Sequence, residues 1–175
     1  AAAGGGGAGV NSLTYSKSLD TSVTTTTISN STTETTIYSY TEAANALSTN
    51  KVLHIIVSGT HLQNSGSNKQ VTVRMKYGAT TMTNVATANL ATSATTGTFT
   101  YHFYLMAHGA TNVQEAYFTG THETGTGVKI LINDQGTAAI DSTASQTLVV
   151  TAQLSSATAT QTYTKRFATI NMKNA

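Results

Sequence analysis

The sequence contains no cysteine and few charged residues. With no Cys in 175 residues, disulfides, thiolate catalysis and cysteine-ligated zinc are excluded. Charged side chains make up 9% of the chain, against about 25% in an average soluble domain. Nine lysines and arginines against seven acidic residues give a formal net charge of only +2. The lysines and arginines are dispersed along the chain. We therefore expect neither a nucleic-acid partner nor a membrane partner.

Long apolar runs are missing as well. No segment approaches the roughly 20 apolar residues that are needed to span a bilayer. The N-terminus lacks the basic start and the apolar run of a secretory signal peptide, so we expect no such signal. A chain of 175 residues is long enough to bury a core without cross-links, and a single compact domain is the natural expectation.

What the chain has in excess is threonine, with 37 residues. Threonine is β-branched and favours strands, and its hydroxyl makes an outward face polar without adding charge. A surface with so little charge is poorly suited to a free cytosolic enzyme. It suits a protein that is largely covered by neighbouring proteins, as many extracellular and virion proteins are.

The clearest structural pattern is a hairpin in the middle of the chain. The sequence predicts strands at Lys51–Thr60 and Lys69–Tyr77, joined by the turn-rich loop Asn64–Asn68. The first strand is apolar on both faces, so we expect it near the middle of a sheet. The second strand alternates with the period of a half-buried strand. Its predicted inward residues are Val71, Val73, Met75 and Tyr77.

The most aromatic segment, Thr98–His108, shows the same alternation. Its predicted core residues are Phe99, Tyr101, Phe103 and Leu105, and its predicted outer residues are Thr100, His102, Tyr104 and Met106. Further along, Gly127–Asn133 is predicted to be a strand with Val128, Ile130 and Ile132 on one side, followed by a turn at Asp134–Gly136. Val113, Ala116 and Phe118 are predicted to be buried in the strand before it.

The strand count indicates the fold class. About eight to ten strands, with turn signals at intervals of roughly 8–14 residues and no helix of normal length, are typical of a β-sandwich or barrel. We predict an all-β, antiparallel β-sandwich of the jelly-roll type, with eight core strands in two four-stranded sheets. We expect this domain to span residues 34–175.

Residues 1–33 are predicted to form an extended N-terminal arm. Its first eleven residues are almost entirely Gly and Ala and cannot bury enough surface to fold alone. The Thr-rich part that follows suits an edge strand or an arm that pairs with another chain. The residues expected to contact other subunits or the capsid are Gly4, Gly5, Gly6, Gly7, Val10, Leu13 and Tyr15.

No catalytic or metal-binding constellation is evident. The histidines show no His-Glu-x-x-His spacing, and the acids are scattered over loops and strand ends. His54 lies in an apolar strand and is expected to be a core histidine, whereas His122 is expected on a loop surface. The predictions are therefore no catalytic residue, no metal, no cofactor and no enzymatic activity.

Several stretches resemble β-rich structural proteins of tailed phages, namely capsid decoration or head-fibre proteins and tail-fibre domains. The resemblance covers roughly residues 34–172. The segments that carry it are Thr35–Thr41, Gly59–Asn68, Val71–Gly78, Gly109–Asn112, Val149–Leu154 and Lys165–Ile170. It implies a jelly-roll-like fold, often trimeric, in a virion setting.

Three functions follow as hypotheses. The first is a virion protein that decorates or cements the capsid and is bound to capsid proteins and to copies of itself. The resemblance implies a homotrimer. The second is a host receptor- or glycan-binding module of a tail or fibre, with His102, Tyr104 and Asn64 as candidate contacts. The third is a small polysaccharide hydrolase, which needs two carboxylates facing each other in a cleft.

Overall fold

The computed structural model describes residues 16–174, and all the regular structure in this range is β-strand. No helix in the described range is long and apolar enough to cross a membrane. The strands are β1 (Ser16–Ser22), β2 (Thr26–Ser29), β3 (Thr35–Glu42), β4 (Lys51–Gln63), β5 (Val71–Tyr77), β6 (Thr80–Ala86), β7 (Ser93–Ala107), β8 (Gln114–Glu123), β9 (Lys129–Ala138), β10 (Gln146–Leu154) and β11 (Gln161–Asn174).

The strands form two antiparallel sheets. The large sheet has the order β1-β11-β4-β7-β8-β9, with β2 also paired to β11, and the small sheet has the order β3-β10-β5-β6. Without β2 and the β8–β9 hairpin, the remaining eight strands pair in a nested way: β1 with β11, β3 with β10, β4 with β7, and β5 with β6. Two four-stranded sheets joined in this manner are a jelly roll. The predicted β-sandwich is confirmed.

The two long strands β4 and β7 form the centre of the large sheet. β4 lies between β11 and β7, as its two-sided apolar pattern predicts. The predicted inward residues of β5 and β7 are all buried. Phe99 stacks on Tyr163 of β11, with ring centroids 4.3 Å apart, and Phe103 stacks on Phe118 of β8 at 4.6 Å. The core between the sheets therefore contains stacked aromatic side chains of the large sheet among aliphatic side chains from both sheets.

The predicted arm divides into two parts. Residues 1–15 lie outside the described residues, and with them the predicted contacts Gly4, Gly5, Gly6, Gly7, Val10, Leu13 and Tyr15. The rest of the predicted arm contributes β1 and β2, which follow one another along the edge of β11. Lys165 of β11 is buried and donates hydrogen bonds to Ser22 Oγ, at 3.0 Å, and to the carbonyl of Thr24. Its amine thus holds the kink between these two strands.

The predicted turn at Asp134–Gly136 is wrong, because β9 continues straight through it to Ala138. The reason is packing: a Cβ on Gly136 would lie 1.8 Å from the carbonyl oxygen of Met82. Glycine in a strand often marks such a close approach of another backbone. The Asp134 carboxylate also accepts a hydrogen bond from the Asn84 backbone N–H at 2.7 Å. These contacts join the edge of the large sheet to β6 of the small sheet.

One predicted burial fails at the start of β8. Val113 is 46% exposed, because it lies just before the strand begins. Ala116 and Phe118 are buried as predicted. Strand alternation therefore predicted burial correctly inside β8 and failed at its end.

A buried tyrosine–carboxyl pair in the small sheet provides a test of the core. Tyr77 donates a hydrogen bond to Glu42 Oε2 at 2.5 Å, and both residues are almost fully buried. Burial raises the pKa of Glu42, and the hydrogen bond from Tyr77 opposes that rise.

We expect Tyr77→Phe to lower the free energy of unfolding by ~1–3 kcal/mol, because a buried carboxyl oxygen loses its donor. The matched control is Tyr40→Phe, which removes a hydroxyl from a half-buried tyrosine of the same sheet and should change stability by less than ~0.5 kcal/mol. Urea denaturation of both variants measures the difference. Equal losses would show that the Glu42 contact contributes nothing specific.

Candidate functional site

The outer face of the large sheet is almost free of charge along its middle. Residues directly opposite each other in an antiparallel pair share a face, so the register defines rows across the strands. None of the three central rows from β11 to β9 contains a charged residue. These rows are Asn171–His54–Tyr104–Tyr117–Gln135, Thr169–Ile56–His102–Thr119–Asn133 and Phe167–Ser58–Thr100–Thr121–Leu131.

Three rings form a stack on this face. His54 lies parallel to Tyr104, with centroids 4.4 Å apart and an interplanar angle of 4°, and it also stacks on His102 at 5.3 Å. His54 Nε2 lies 3.0 Å from His102 Nδ1, within hydrogen-bonding distance. Burial, together with the charges of Lys173 and His102, lowers the pKa of His54 to about 4. His54 is therefore neutral at neutral pH and supports the tyrosine ring from one side.

Next to this stack is a cleft of about 470 Å³ between β7, β8 and β9. We call it the aromatic cleft. Its lining residues are Tyr104, Tyr117, Phe118, Thr119, Asn133, Asp134 and Gln135. Because His54 covers one face of Tyr104, a ligand in the cleft can contact only the other face or the edge of that ring.

The lining combines flat rings with neutral hydrogen-bonding groups. Tyr104 and Tyr117 supply ring surface, and each of the two amides, Asn133 and Gln135, offers both donors and an acceptor. Thr119 adds a hydroxyl directly opposite Asn133 in the register. Asp134 is the one carboxylate among the described lining residues, and it already accepts the Asn84 N–H. The arrangement is suited to binding a flat, uncharged, hydroxyl-rich molecule.

The structure brings together two of the three residues that the sequence suggested for glycan contact. Tyr104 lines the cleft, and His102 lies behind it through His54. Asn64 follows the end of β4, ten residues from His54, which is ~33 Å along a strand. It is therefore far from the other two candidates.

Sequence reasoning missed four lining residues, namely Tyr117, Thr119, Asn133 and Gln135. Period-two alternation in β8, with Phe118 inward, already places Tyr117 and Thr119 on the outer face. The two amides were missed because the predicted turn at Asp134–Gly136 interrupted the strand that carries both. Which strand lies beside β8 could not be inferred from the local pattern.

A cleft of about 510 Å³ between β1 and β3 offers no comparable binding surface. Its lining includes four threonines together with Asp20, Tyr38 and Lys165. Tyr38 donates to Asp20 at 2.9 Å, and Lys165 holds the β1–β2 kink. Burial lowers the pKa of Lys165, with Asp20 opposing the shift. These polar groups are therefore used to fasten the edge strands of the sandwich.

Two of the histidines, His54 and His122, do not fall where the sequence suggested. His54 was expected in the core but is half-buried on the outer face, because the inward positions of β4 are the residues on either side of it. His122 was expected on a loop but is fully buried in β8. No group of three potential metal-ligating side chains occurs in the described part of the chain.

His122 forms a buried pair with His61. The ring centroids are 3.9 Å apart, Tyr101 Oη lies 3.0 Å from His122 Nδ1, and His61 Nε2 donates to the carbonyl of Glu123 at 2.8 Å. Burial lowers the pKa of His122 to about 3, with His61 adding to the shift. Burial also lowers the pKa of His61, although its bond to the Glu123 carbonyl opposes this.

None of the protein-family models and none of the curated proteins matches the chain. Among solved structures, the chain is similar to the CBM2 module of the evolved Dit of Lactobacillus casei BL23 phage J-1. The identity is 8%, the TM-score is 0.42, and the match covers 78% of this chain and 69% of that one. This likeness is too slight to assign a fold or a function.

The buried histidines make the fold sensitive to acid. Their pKa values are lower in the folded protein than in the unfolded chain, so the unfolded chain binds more protons below about pH 6.5. Stability is complete above that pH and is lost as the pH falls toward the folded pKa values, by ~1.4 kcal/mol per pH unit for each such histidine.

We expect the urea midpoint to fall between about pH 6.5 and pH 5, above the range where most carboxylates titrate. In His122→Gln, which keeps an acceptor for Tyr101, the slope of stability against pH should decrease by about one proton. A measurement above about pH 7 checks that the variant folds. An unchanged slope would mean that His122 is protonated in the folded protein.

Proposed function

We propose that this protein binds glycans through the aromatic cleft, as a receptor- or glycan-binding module of a phage virion. The observation that carries the proposal is the pairing of a braced tyrosine ring with two neutral amides on one exposed sheet face. The virion setting is supported by the resemblance of residues 34–172 to structural proteins of tailed phages and by the low charge of the chain. Carbohydrate binding is the better supported of the first two hypotheses, because capsid contact predicts no such cleft.

The mechanism follows from the chemistry of sugars. The negative face of an aromatic ring attracts the weakly positive C–H groups on one face of a pyranose ring. Tyr104 is held by His54, so little side-chain entropy is lost when a sugar packs against it. Asn133, Gln135 and Thr119 then bond the hydroxyls at the rim of the sugar ring and so fix its orientation. A single site of this kind is weak, and several copies on one particle would raise the overall affinity.

The expected effect of Tyr104→Ala is a loss of glycan binding by at least about tenfold, since the ring surface is removed. Tyr117→Phe should retain more binding than Tyr117→Ala, because it keeps the ring and removes only the hydroxyl. The measurement is calorimetric titration with sugars selected on a glycan array.

The matched control is Leu131→Ala. Leu131 is 80% exposed on the same sheet face, one row beyond Asn133, and it should be neutral for sugar binding. The proposal fails if no sugar binds the wild-type protein, or if Leu131→Ala weakens binding as much as Tyr104→Ala does.

Capsid decoration remains the second candidate, and the exposed apolar residues favour it. Leu131 and Val23 are exposed by 80% and 74% near the two opposite edges of the large sheet, so neighbouring subunits packed against both edges would cover them. The predicted homotrimer and capsid partners belong to this hypothesis.

If the decoration hypothesis is correct, the full chain should be a trimer in light scattering, and the paired substitution of Val23 and Leu131 by Ser should weaken the trimer or its binding to capsids. A monomer that does not bind isolated capsids would remove this candidate.

A further inference from the structure

A second cleft lies on the same two strands as the aromatic cleft. It has a volume of about 420 Å³ and is lined by His108, by residues 112–115 and by residues 137–139. In the register of β8 and β9, Tyr117 pairs with Gln135 and Glu115 pairs with Thr137. A step of two residues along both strands therefore leads from the aromatic cleft to the second cleft.

The two clefts together are much longer than one sugar. Asn133 and Ala138 line the far ends of the β9 side and are five residues apart, which is ~17 Å along a strand. This length accommodates several pyranose rings in a row. The chain direction would follow β8 and β9, since both clefts lie along that pair of strands.

The second cleft adds apolar surface. Val113 is 46% exposed beside Ala138 and Ala139. The C–H face of a sugar can cover exposed aliphatic surface that lies next to hydrogen-bonding groups. The aliphatic surface of the second cleft lies in line with Tyr117 and not on a separate face. The two clefts thus have similar chemistry, with rings in one and aliphatic groups in the other.

The two clefts are lined by carboxylates. Glu115 lines the second cleft, with Oε2 2.8 Å from His108 Nε2. Its carboxylate also raises the pKa of Tyr117 by accepting a hydrogen bond from the tyrosine hydroxyl. Asp134 contributes a second carboxylate, and neither cleft is lined by a lysine or an arginine among the described residues. An acidic sugar would meet like charge here with no lysine or arginine among these lining residues to offset it.

We infer that the ligand is a neutral, linear glycan of several units that lies along β8 and β9 across both clefts, with Glu115 excluding acidic sugars. This inference rests on the proposed function, because it specifies the ligand of the same site. Glu115 is a specificity-determining residue in this scheme. Val113 belongs to a second subsite that only longer chains reach.

The first experiment is a length series. Neutral oligosaccharides of glucose, mannose, galactose and N-acetylglucosamine, from the monosaccharide to the hexasaccharide, are titrated into the full chain. The affinity for the best sugar should rise at least about tenfold with chain length, which corresponds to ~1.4 kcal/mol. Val113→Ser should reduce this gain, whereas the matched control Val128→Ser, at the opposite end of the hairpin, should not.

The second experiment tests charge selection. Oligogalacturonides of matched length should bind at least about tenfold more weakly than the best neutral series. In Glu115→Gln the ratio of acidic to neutral affinity should rise about fivefold, the effect of removing one nearby like charge in a wet site. Glu123→Gln, on the same strand and face but three rows beyond Tyr117, is the control and should leave the ratio unchanged.

The outcomes separate the two levels of the proposal. If sugars bind but acidic chains bind as well as neutral ones, or monosaccharides bind as well as hexasaccharides, this inference is wrong and the glycan-binding function survives. Equal effects of Val113→Ser and Val128→Ser contradict the second subsite. If no sugar of either series binds, the proposed function fails and this inference fails with it.

Discussion

The structure depends on strict alternation in the two central strands of the large sheet. In β4 and β7, every second side chain enters the core and the ones between reach the outer face. A slip of one residue in the β4–β7 register would bring His54 and Tyr104 toward the core and expose the neighbouring apolar side chains. The burial of Phe103 and Leu105 therefore also fixes where His102 and Tyr104 stand. The same strand register therefore determines both the core and the candidate site.

The site itself lies at the border between the jelly roll and an added hairpin. β7 is a jelly-roll strand, while β8 and β9 extend the large sheet beyond the eight nested strands. This hairpin is fixed to the small sheet by two contacts. Gly136 packs tightly on Met82, and Asp134 accepts a hydrogen bond from the Asn84 backbone N–H. A rigid scaffold thus carries the candidate site, which is the usual way in which functional sites are built on a common fold. The row of Tyr104, Tyr117 and Gln135 crosses that border.

Much of the fold could be predicted because its signals are local. The alternation of Val71–Tyr77 and of Phe99–Leu105 predicted burial correctly, and the two-sided apolar strand β4 was placed correctly in the middle of its sheet. The errors have a common cause. His122 was assigned to a loop because its neighbours are Gly and Thr, yet those small residues leave room for buried rings. Asp134–Gly136 has the composition of a turn, but contact with β6 keeps it extended.

The sequence by itself determined that the chain is an all-β sandwich with little charge, because strand periodicity and composition are properties of neighbouring residues. It also placed His102 and Tyr104 on the outward face of one strand. Only the tertiary structure decided that His54 braces Tyr104 and that Tyr117, Asn133 and Gln135 complete a cleft beside it. Those contacts depend on which strands pair and in what register, and pairing between segments far apart in the chain leaves no mark in a single local pattern.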